Sequence, residues 1–333
     1  MRTVEEHQRV VAGLISRRAP VNVAIADALG HVLAADVVAP LSLPGFDNSA
    51  MDGYAVVAEN VAGATPEHPV RLPVAEDIPA GRTDVLKLKP RTAHRIMTGA
   101  MLPAGATAVV PVEATNGAVD TVEIRADAKQ GQHIRRAGED VTAGTAVLRA
   151  GQVITPAALG LAAALGLGEL TVIPRQRVLV MSTGTELVAP GTPLAPGQIY
   201  ESNAVMLAAA LRDAGADVVA SPMTGDDVDS FRAALARYTG DADLIITTGG
   251  VSAGAYEVVK DALAGSVDFV KVAMQPGMPQ GCGTVDGTPI ITLPGNPVSA
   301  LVSFEVFIRA RVEHAAAELP FAARRVDVLG QHG

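Results

Sequence analysis

The segment "DLIITTGGVSAG", residues 243–254, predicts the architecture of this chain. The apolar run Leu244, Ile245 and Ile246 is typical of a buried strand, and two threonines and two glycines follow it. Glycine lets the backbone approach a bound group closely, and the next residues, 256–264, predict a helix. A strand that passes through a glycine turn into a helix is the repeating unit of an α/β domain.

The same unit recurs between residues 177 and 316. Strands are predicted over 177–181, 216–220, 243–247, 267–274 and 289–294. Four helices are predicted: one capped by Ser202 or Asn203 and ending at Asp213, one from Asp227 or Asp229 to about Tyr238, one over 256–264, and one over 296–316 that begins with the cap Asn296 followed by Pro297. Because strands and helices alternate, we predict a parallel sheet covered on both faces, a three-layer α/β domain.

The first half of the chain has a different pattern. Residues 3–18 predict an amphipathic helix with Thr3 as its N-cap. From about residue 40 to 150, Pro and Gly separate short Val-rich runs such as "AVVPVE" (108–113) and "VDTVEIRA" (119–126). This pattern predicts a β-rich region before the α/β domain.

Composition excludes several classes of function. The 333 residues are 49% hydrophobic and 18% charged, which indicates a soluble globular protein of two or three domains. A formal net charge of −9 argues against nucleic-acid or anionic-membrane binding. A single Cys282 rules out an intramolecular disulfide, and the histidines lack zinc-site spacing. The charged N-terminus without an apolar signal region predicts a cytoplasmic protein.

Glycines and small polar residues follow each predicted strand of the α/β region. The segments are "STGTE" (182–186), "MTGDD" (223–227), "TGGVSAG" (248–254), "QPGMPQG" (275–281) and "GNP" (295–297). Carboxyl ends of parallel strands meet at one edge, so we expect these loops to form one anion-binding crevice there. The donors would be backbone amides, the hydroxyls of Ser182, Thr183, Thr248 and Ser252, and the ammonium group of Lys271.

Acidic residues lie in the same loops, namely Glu186, Asp226, Asp227 and Glu257. Acids beside an anion site favour a bridging Mg²⁺, which takes one or two carboxylates plus ligand oxygens. Each feature alone has a simpler interpretation, since one glycine loop fits a tight turn, the Asp226-Asp227 pair fits a helix cap, and Lys271 fits a solvated edge. Their coincidence at one edge favours the site.

The β-rich half carries a second polar region. Asp47, Asn48, Ser49 and Asp52 stand in "PGFDNSAMDGYAV" (44–56), a pattern that also fits an Asx turn leading into a hairpin. Two further clusters are "RIMTGA" (95–100) and "IRRAGED" (134–140). Arg135 and Arg136 fit either phosphate binding or surface ion pairs with the neighbouring Glu139 and Asp140.

These motifs together resemble a known family. "FDNSAMDGYAV", "RIMTGAMLP", "IRRAGED", "STGTEL", "GQIYESN", "TTGGVSAG" and "LPGNPVSA" occur in the order seen in the molybdopterin molybdenumtransferase family, which includes the gephyrin E domain. The resemblance extends to about residue 317. It implies an enzyme that uses Mg²⁺, takes molybdate and adenylylated molybdopterin as substrates, and gives molybdenum cofactor and AMP.

The resemblance also implies roles for individual residues. Catalytic roles fall on Asp52, Thr98, Asp140, Glu186 and Lys271, and metal binding on Glu186 and Asp226. Substrate-binding roles fall on Ser182, Thr183, Gly184, Thr248, Gly249, Gly250, Ser252, Gly254, Glu257, Gln275, Pro294, Gly295, Asn296 and Pro297.

The domain plan implied by the resemblance has four parts. Residues 1–43 and 137–172 would form an elongated linking domain, 44–136 a β-rich domain, and 173–317 the α/β molybdopterin-binding domain. Residues 318–333 would be the truncated remnant of a C-terminal β-barrel. Family members are homodimers whose sites are shared between subunits, and partners would include molybdopterin adenylyltransferase and molybdoenzyme acceptors, with no nucleic acid or membrane.

The chain departs from the family pattern at several positions. Thr185 replaces the acid of the usual "STGDEL", and Gln275 and Met278 replace the two lysines of "KPGKP". Ala255 replaces an acid before Tyr256, whereas Glu257 keeps the charge after it. The sequence leaves open whether these changes weaken molybdate binding or favour another oxyanion such as tungstate.

Two other functions remain open at this point. The altered lysines and the short C-terminal segment also fit a non-catalytic molybdopterin-binding or scaffold protein on the same fold. A nucleotide-dependent phosphotransferase is a weaker alternative because the chain has no P-loop lysine.

Overall fold

The computed structural model describes residues 1–250 and 258–316. Contacts divide this chain into two compact units, one comprising 1–35, 149–159 and the residues from 168 onward, the other comprising 36–148 and 160–167. The residues of the predicted linking domain are shared between the two units, and the predicted domain boundaries stay a prediction. None of the described helices combines the length and apolar character needed to cross a bilayer.

Most strands of the chain are short. In the first half they are β1 (Val21–Ala24), β2 (Val32–Leu33), β3 (Val37–Val38), β4 (Asn48–Ser49), β5 (Gly53–Val56), β6 (Val70–Ile78), β7 (Ala93–Ile96), β8 (Ala108–Pro111), β9 (Thr121–Ile124), β10 (Ile134–Arg135) and β11 (Ala146–Leu148). In the second half they are β12 (Glu169–Ile173), β13 (Arg177–Thr183), β14 (Leu187–Val188), β15 (Ile199–Tyr200), β16 (Asp217–Ala220), β17 (Met223–Thr224), β18 (Leu244–Thr248), β19 (Val267–Lys271), β20 (Pro279–Val285) and β21 (Thr288–Leu293).

The α-helices concentrate in the unit that holds the C-terminal half. They are α1 (Val4–Leu14), α2 (Pro156–Ala164), α3 (Asn203–Asp213), α4 (Val228–Thr239), α5 (Val258–Ala262), α6 (Pro297–Ser303) and α7 (Ala310–Ala316). A π-helical turn, Phe304–Arg309, connects α6 to α7, and single 3₁₀ turns occur at Ile25–Asp27, Ala58–Val61 and Val112–Ala114.

A seven-stranded sheet organises the first unit, in the order β16-β13-β18-β21-β20-β19, with β17 also paired to β13. The pairs that join β13, β16, β17, β18 and β21 are parallel, as predicted. The prediction was wrong at residues 279–281, which were assigned to a loop and instead begin β20, antiparallel to both of its neighbours. The strand β19 therefore runs in the same direction as β21, and its carboxyl end lies at the same edge.

Helices cover both faces of this sheet. Apolar residues of α1, α3, α6 and the π-turn pack on one face, around Leu207, Ile246 and Phe304. Residues of α4 and α5 pack on the other face, around Met181 and Phe231. The predicted three-layer α/β architecture is confirmed.

Side-chain caps fix where several of these helices begin. Thr3 is the N-cap of α1, as the sequence predicts, and it forms a capping box with Glu6. Asp227 accepts a hydrogen bond of 2.7 Å from the Ser230 amide and caps α4. Asn296 accepts one of 3.1 Å from the Ser299 amide and caps α6. Because α4 follows β17 and α6 follows β21, the capped N-termini of these two helices lie at the carboxyl edge of the sheet.

The second unit is β-rich, as predicted. Its main sheet has five strands in the order β8-β5-β7-β6-β9, and two-stranded pairs join β4 to β10 and β3 to β11. Buried apolar side chains on this sheet include Tyr54, Val110 and Ile124. This sheet positions the polar segments around Asp52 and Thr98.

Candidate functional site

A cleft of about 300 Å³ opens at the carboxyl edge of the seven-stranded sheet. Four of the five predicted loops contribute to its lining, which consists of Thr183, Gly184, Glu186, Leu187, Ile199, Asn203, Asp226, Thr248, Gly249, Gly250 and Gly295. The predicted convergence is confirmed for these four loops, whereas the fifth, 275–281, does not line the cleft. The roles of the individual residues stay predictions.

The glycine turn after β18 depends on the absence of side chains. Gly249 has a φ of +91°, a conformation that L-residues rarely adopt. A Cβ atom there would lie 2.6 Å from the Thr183 carbonyl oxygen and 2.8 Å from its hydroxyl. The turn can therefore pass this close to the end of β13 only as glycine.

Two carboxylates line the cleft. Glu186 is exposed, and its carboxylate folds back over Gly184, where an added Cβ would lie 2.6 Å from Oε2. Asp226 is half-buried, and its Oδ2 accepts hydrogen bonds from the Thr185 amide at 3.1 Å and the Thr185 hydroxyl at 3.0 Å. The sequence left open whether Asp226 and Asp227 cap a helix or bind a metal ion. In the structure Asp227 is the helix cap, and Asp226 faces the cleft.

The donor set fits a Mg²⁺ ion that shares its coordination with a ligand. Over residues 1–250 and 258–316, no group of three or more His, Cys, Asp or Glu is arranged to hold a metal ion by itself. Mg²⁺ commonly takes one or two carboxylates, keeps waters and completes its shell with phosphate oxygens. Glu186 and Asp226 would hold it in this way.

Sequence reasoning assigned no site role to Asn203, which lines the cleft, or to Glu201, which hydrogen-bonds Ser182 below it in the chain's interior. Asn203 donates from Nδ2 to the Gly295 carbonyl at 2.8 Å, which ties α3 to the loop after β21, and its Oδ1 is buried without a partner among the described residues. Glu201 is 6% exposed and accepts hydrogen bonds from the Ser182 hydroxyl at 2.8 Å and the Ala204 amide at 2.7 Å. Both stand in "GQIYESN", where a glutamate after a strand gave no signal that it would turn inward.

Ser182 does not line the cleft. It is 1% exposed, donates to Glu201, and lies 3.2 Å from the Thr248 hydroxyl. Thr183, in turn, donates to the Thr248 carbonyl at 3.3 Å. These buried bonds hold the ends of β13 and β18 together, so Ser182 supports the site from inside the unit.

The loop between β19 and β20 lies at the same edge but outside the cleft. Lys271 is exposed at the end of β19, three strand positions from β18, or about 14 Å at ordinary strand spacing. Gln275 is exposed and Met278 is half-buried. The structure therefore does not bring Lys271 and Gln275 together with the glycine turn.

Only part of the segment after β21 lines the cleft. Gly295 lines the cleft, whereas Pro294 is buried and Asn296 and Pro297 form the exposed start of α6. The predicted site residues Ser252, Gly254 and Glu257 lie outside the described residues, as do the departures at Ala255 and Tyr256.

In the second unit, Thr98 binds Asp52. Its amide and hydroxyl donate to the same oxygen of Asp52, Oδ1, at 2.7 and 2.8 Å. The Thr98 amide, followed by its hydroxyl, holds the pKa of Asp52 below the ordinary value. Asp52 is exposed and ionised at neutral pH.

The arginines of "IRRAGED" form surface ion pairs. Arg135 pairs with Asp140, and Arg136 pairs with Asp47. The Ala137 amide and the Arg136 side chain lower the pKa of Asp47. Of the two interpretations of these arginines, the structure favours ion pairing.

Comparison with known proteins places both halves of the chain. Residues 2–166 match the family model of the MoeA N-terminal region (domain I and II), and residues 179–314 match that of a probable molybdopterin binding domain. The chain is 70% identical over 317 residues to molybdopterin molybdenumtransferase 2 of Mycobacterium tuberculosis (strain ATCC 25618 / H37Rv), covering 93% of this chain and 78% of the relative.

More distant relatives agree. Molybdopterin molybdenumtransferase 1 of the same strain is 40% identical over 329 residues, covering 93% of this chain and 77% of the relative. The crystal structure of a molybdopterin biosynthesis MoeA protein from Pyrococcus horikosii superposes with a TM-score of 0.80 at 31% identity, covering 94% of this chain and 80% of that one. The chain therefore belongs to the molybdopterin molybdenumtransferase family, and its α/β cleft lies in the part that matches the molybdopterin-binding domain.

Proposed function

We propose that this chain inserts molybdenum from molybdate into molybdopterin, taking the adenylylated form of the pterin as substrate and releasing AMP. The observation that carries the proposal is the cleft, in which four loops of the matched molybdopterin-binding region meet around two carboxylates. A crevice at the carboxyl ends of parallel strands is the usual ligand site of an open α/β sheet.

The glycine turn would bind the anionic part of the substrate. Gly249 and Gly250 have no side chains to screen their backbone, and a glycine-rich turn after a strand is a common way to present amides to an oxyanion. Asn203 would accept a hydrogen bond from the pterin or an ordered water, because its Oδ1 is fixed and unpartnered within the described part of the chain.

Glu186 and Asp226 would hold the Mg²⁺ ion. When bound, this ion would offset the charge of the phosphate and molybdate oxygens. The protein's own contribution is to place the two carboxylates on one wall of the cleft, Glu186 over Gly184 and Asp226 against Thr185.

The test of this function is AMP release by the purified chain with adenylylated molybdopterin, Mg²⁺ and molybdate. Wild-type protein should release AMP in step with molybdate consumption, and Asp52→Ala should abolish turnover while leaving the fold intact. Asp120→Ala is the matched control, since Asp120 is exposed on the same unit and belongs to neither polar region. Absence of AMP release by wild-type protein would reject the proposal.

We further propose a homodimer in which Asp52, Thr98 and Asp140 of one subunit complete the cleft of the other. The proposal rests on the family relation and on the charge of Asp52. Inactive Asp52→Asn and Asp226→Asn chains should regain activity when mixed, because half the sites of each heterodimer would carry both wild-type residues. Mixtures that stay inactive despite subunit exchange would contradict a shared site.

A non-catalytic molybdopterin-binding protein is the second candidate. The observation in its favour is the replacement of two family lysines by Gln275 and Met278, in the loop that lies at the same edge of the sheet but outside the cleft. Each lost charge-assisted contact costs roughly 1.5–3 kcal/mol, which would weaken oxyanion binding. Calorimetric titration distinguishes the candidates, since a binding protein would bind the pterin without turnover and irrespective of molybdate. Interaction with molybdopterin adenylyltransferase and with molybdoenzyme acceptors stays a prediction. The cytoplasmic location stays a prediction as well.

A further inference from the structure

Thr185 makes a double contact with Asp226. Its amide and hydroxyl both donate to Oδ2, at 3.1 and 3.0 Å. Among the described residues, only Oδ2 of this carboxylate accepts a hydrogen bond, so its two oxygens are not equivalent. One oxygen is held by the protein, and the other remains for a ligand.

The second unit repeats this arrangement. Thr98 donates its amide and hydroxyl to a single oxygen of Asp52, at 2.7 and 2.8 Å. In both cases a threonine fixes a carboxylate that the proposed reaction uses. A side chain already held in one orientation loses less rotational freedom when it binds a ligand.

We propose that Thr185 is a positioning residue for the divalent cation, holding Asp226 so that it binds the ion through Oδ1 alone. The proposal rests on the cation site of the proposed function. Thr185 is exposed and stands between Gly184 and Glu186, which both line the cleft. Its two hydrogen bonds to Asp226 fix its orientation.

The same residue sets the charge of the site. Glu186 and Asp226 carry two negative charges, which one divalent cation neutralises. An aspartate at position 185 would add a third charge and leave the loaded site negative, facing an anionic substrate. Threonine therefore gives up cation affinity and removes repulsion of the anion.

Mn²⁺ titrations of the purified chain, followed by electron paramagnetic resonance, test this inference without turnover. Thr185→Val keeps the side-chain shape and removes the hydroxyl, and it should raise the Kd for Mn²⁺ roughly three- to tenfold, the loss expected for one hydrogen bond to a partly exposed carboxylate. Thr185→Ser should stay within about twofold of wild type, because the hydroxyl is kept.

Thr185→Asp should act in opposite directions on the two ligands. It should lower the Kd for Mn²⁺ and raise the Kd for AMP measured in the presence of saturating Mn²⁺. Thr192→Val is the control, because Thr192 is exposed on the loop between β14 and β15 and does not line the cleft. An unchanged urea midpoint in each variant shows that the fold is kept.

The outcomes separate this inference from the proposed function. An unchanged Mn²⁺ affinity in Thr185→Val, or an equal loss in Thr185→Ser, overturns the role of Thr185 even if the wild-type chain releases AMP. A wild-type chain whose Mn²⁺ binding is absent, or is insensitive to Asp226→Asn, overturns both the inference and the magnesium part of the proposed function. AMP release that fails while the Thr185 series behaves as expected rejects only the reaction.

Discussion

The hydroxyl of Ser182 donates a 2.8 Å hydrogen bond to Oε1 of Glu201, and both residues are buried. The same oxygen accepts the Ala204 amide at the start of α3. One carboxylate thus joins the end of β13 to a helix N-terminus, where a negative charge is favourable. These bonds hold together the strand end and the helix start from which the cleft residues Thr183 and Asn203 project.

Replacing Glu201 by Ala should lower the free energy of unfolding by about 2–3 kcal/mol, since it leaves a buried hydroxyl and a helix amide without an acceptor. Glu201→Gln keeps an oxygen at the same place and should cost less, about 1 kcal/mol. Urea unfolding measures both values, with Glu59→Ala on the exposed surface as the control. A loss below 0.5 kcal/mol in Glu201→Ala, about the level of a surface change, would contradict the support role.

Gly249→Ala should damage the cleft more than its backbone conformation alone explains. Gly191 has a similar φ of +88° but open space around its Cα, whereas a Cβ at Gly249 would lie 2.6 Å from the Thr183 carbonyl. Gly191→Ala should therefore cost about 1–2 kcal/mol of stability from strain, and Gly249→Ala should cost more and weaken AMP binding. Equal effects of the two changes in urea unfolding and AMP titration would show that the close approach is unimportant.

Sequence patterns were sufficient to predict the main parallel strands of the sheet and most of the cleft. Apolar runs such as Leu244–Ile246 identify buried strands, and alternation with helices implies parallel pairing. Parallel pairing places the loops after β13, β17, β18 and β21 at one edge, so Glu186, Asp226 and the glycine turn could be grouped without coordinates. The rule that parallel strands end at one edge, rather than any single motif, made this grouping possible.

Other features depend on contacts that no local pattern encodes. The strand β20 begins in a segment rich in Pro and Gly, and only pairing with β19 and β21 makes it a strand. Glu201 was not predicted because an acid after a strand is usually solvated, and its partner Ser182 is 19 residues away. The sequence identified Thr185 only as a departure from the family pattern. Its hydrogen bond to Asp226 was not predicted, because it joins two loops that are distant in sequence.

Thr98→Val should reduce turnover by roughly five- to tenfold, because the hydroxyl that helps to hold Asp52 is lost while the amide bond remains. Hydrogen bonds from Thr98 lower the pKa of Asp52, so the variant should also raise that pKa. If Asp52 must be ionised for turnover, the acidic limb of the pH–rate profile moves to higher pH. Thr98→Ser should restore both the rate and the profile, and a variant with lower activity but an unmoved acidic limb would indicate a purely structural role.

Stability should depend on pH through His7. The ring is fully buried against Phe307, with Nδ1 3.3 Å from the Arg2 guanidinium and Nε2 unpartnered among the described residues. Burial, followed by the charge of Arg2 and opposed by Asp268, lowers the pKa of His7 from 6.5 to about 4. Because the folded-state pKa is the lower one, the unfolded chain binds more protons between these values, and stability is lost as pH falls through this window. Urea unfolding from pH 7.5 to 4.5 should show a loss of roughly 1–3 kcal/mol that disappears in His7→Leu and persists in the exposed control His68→Leu. An equally steep pH dependence in His7→Leu would assign the loss to other groups.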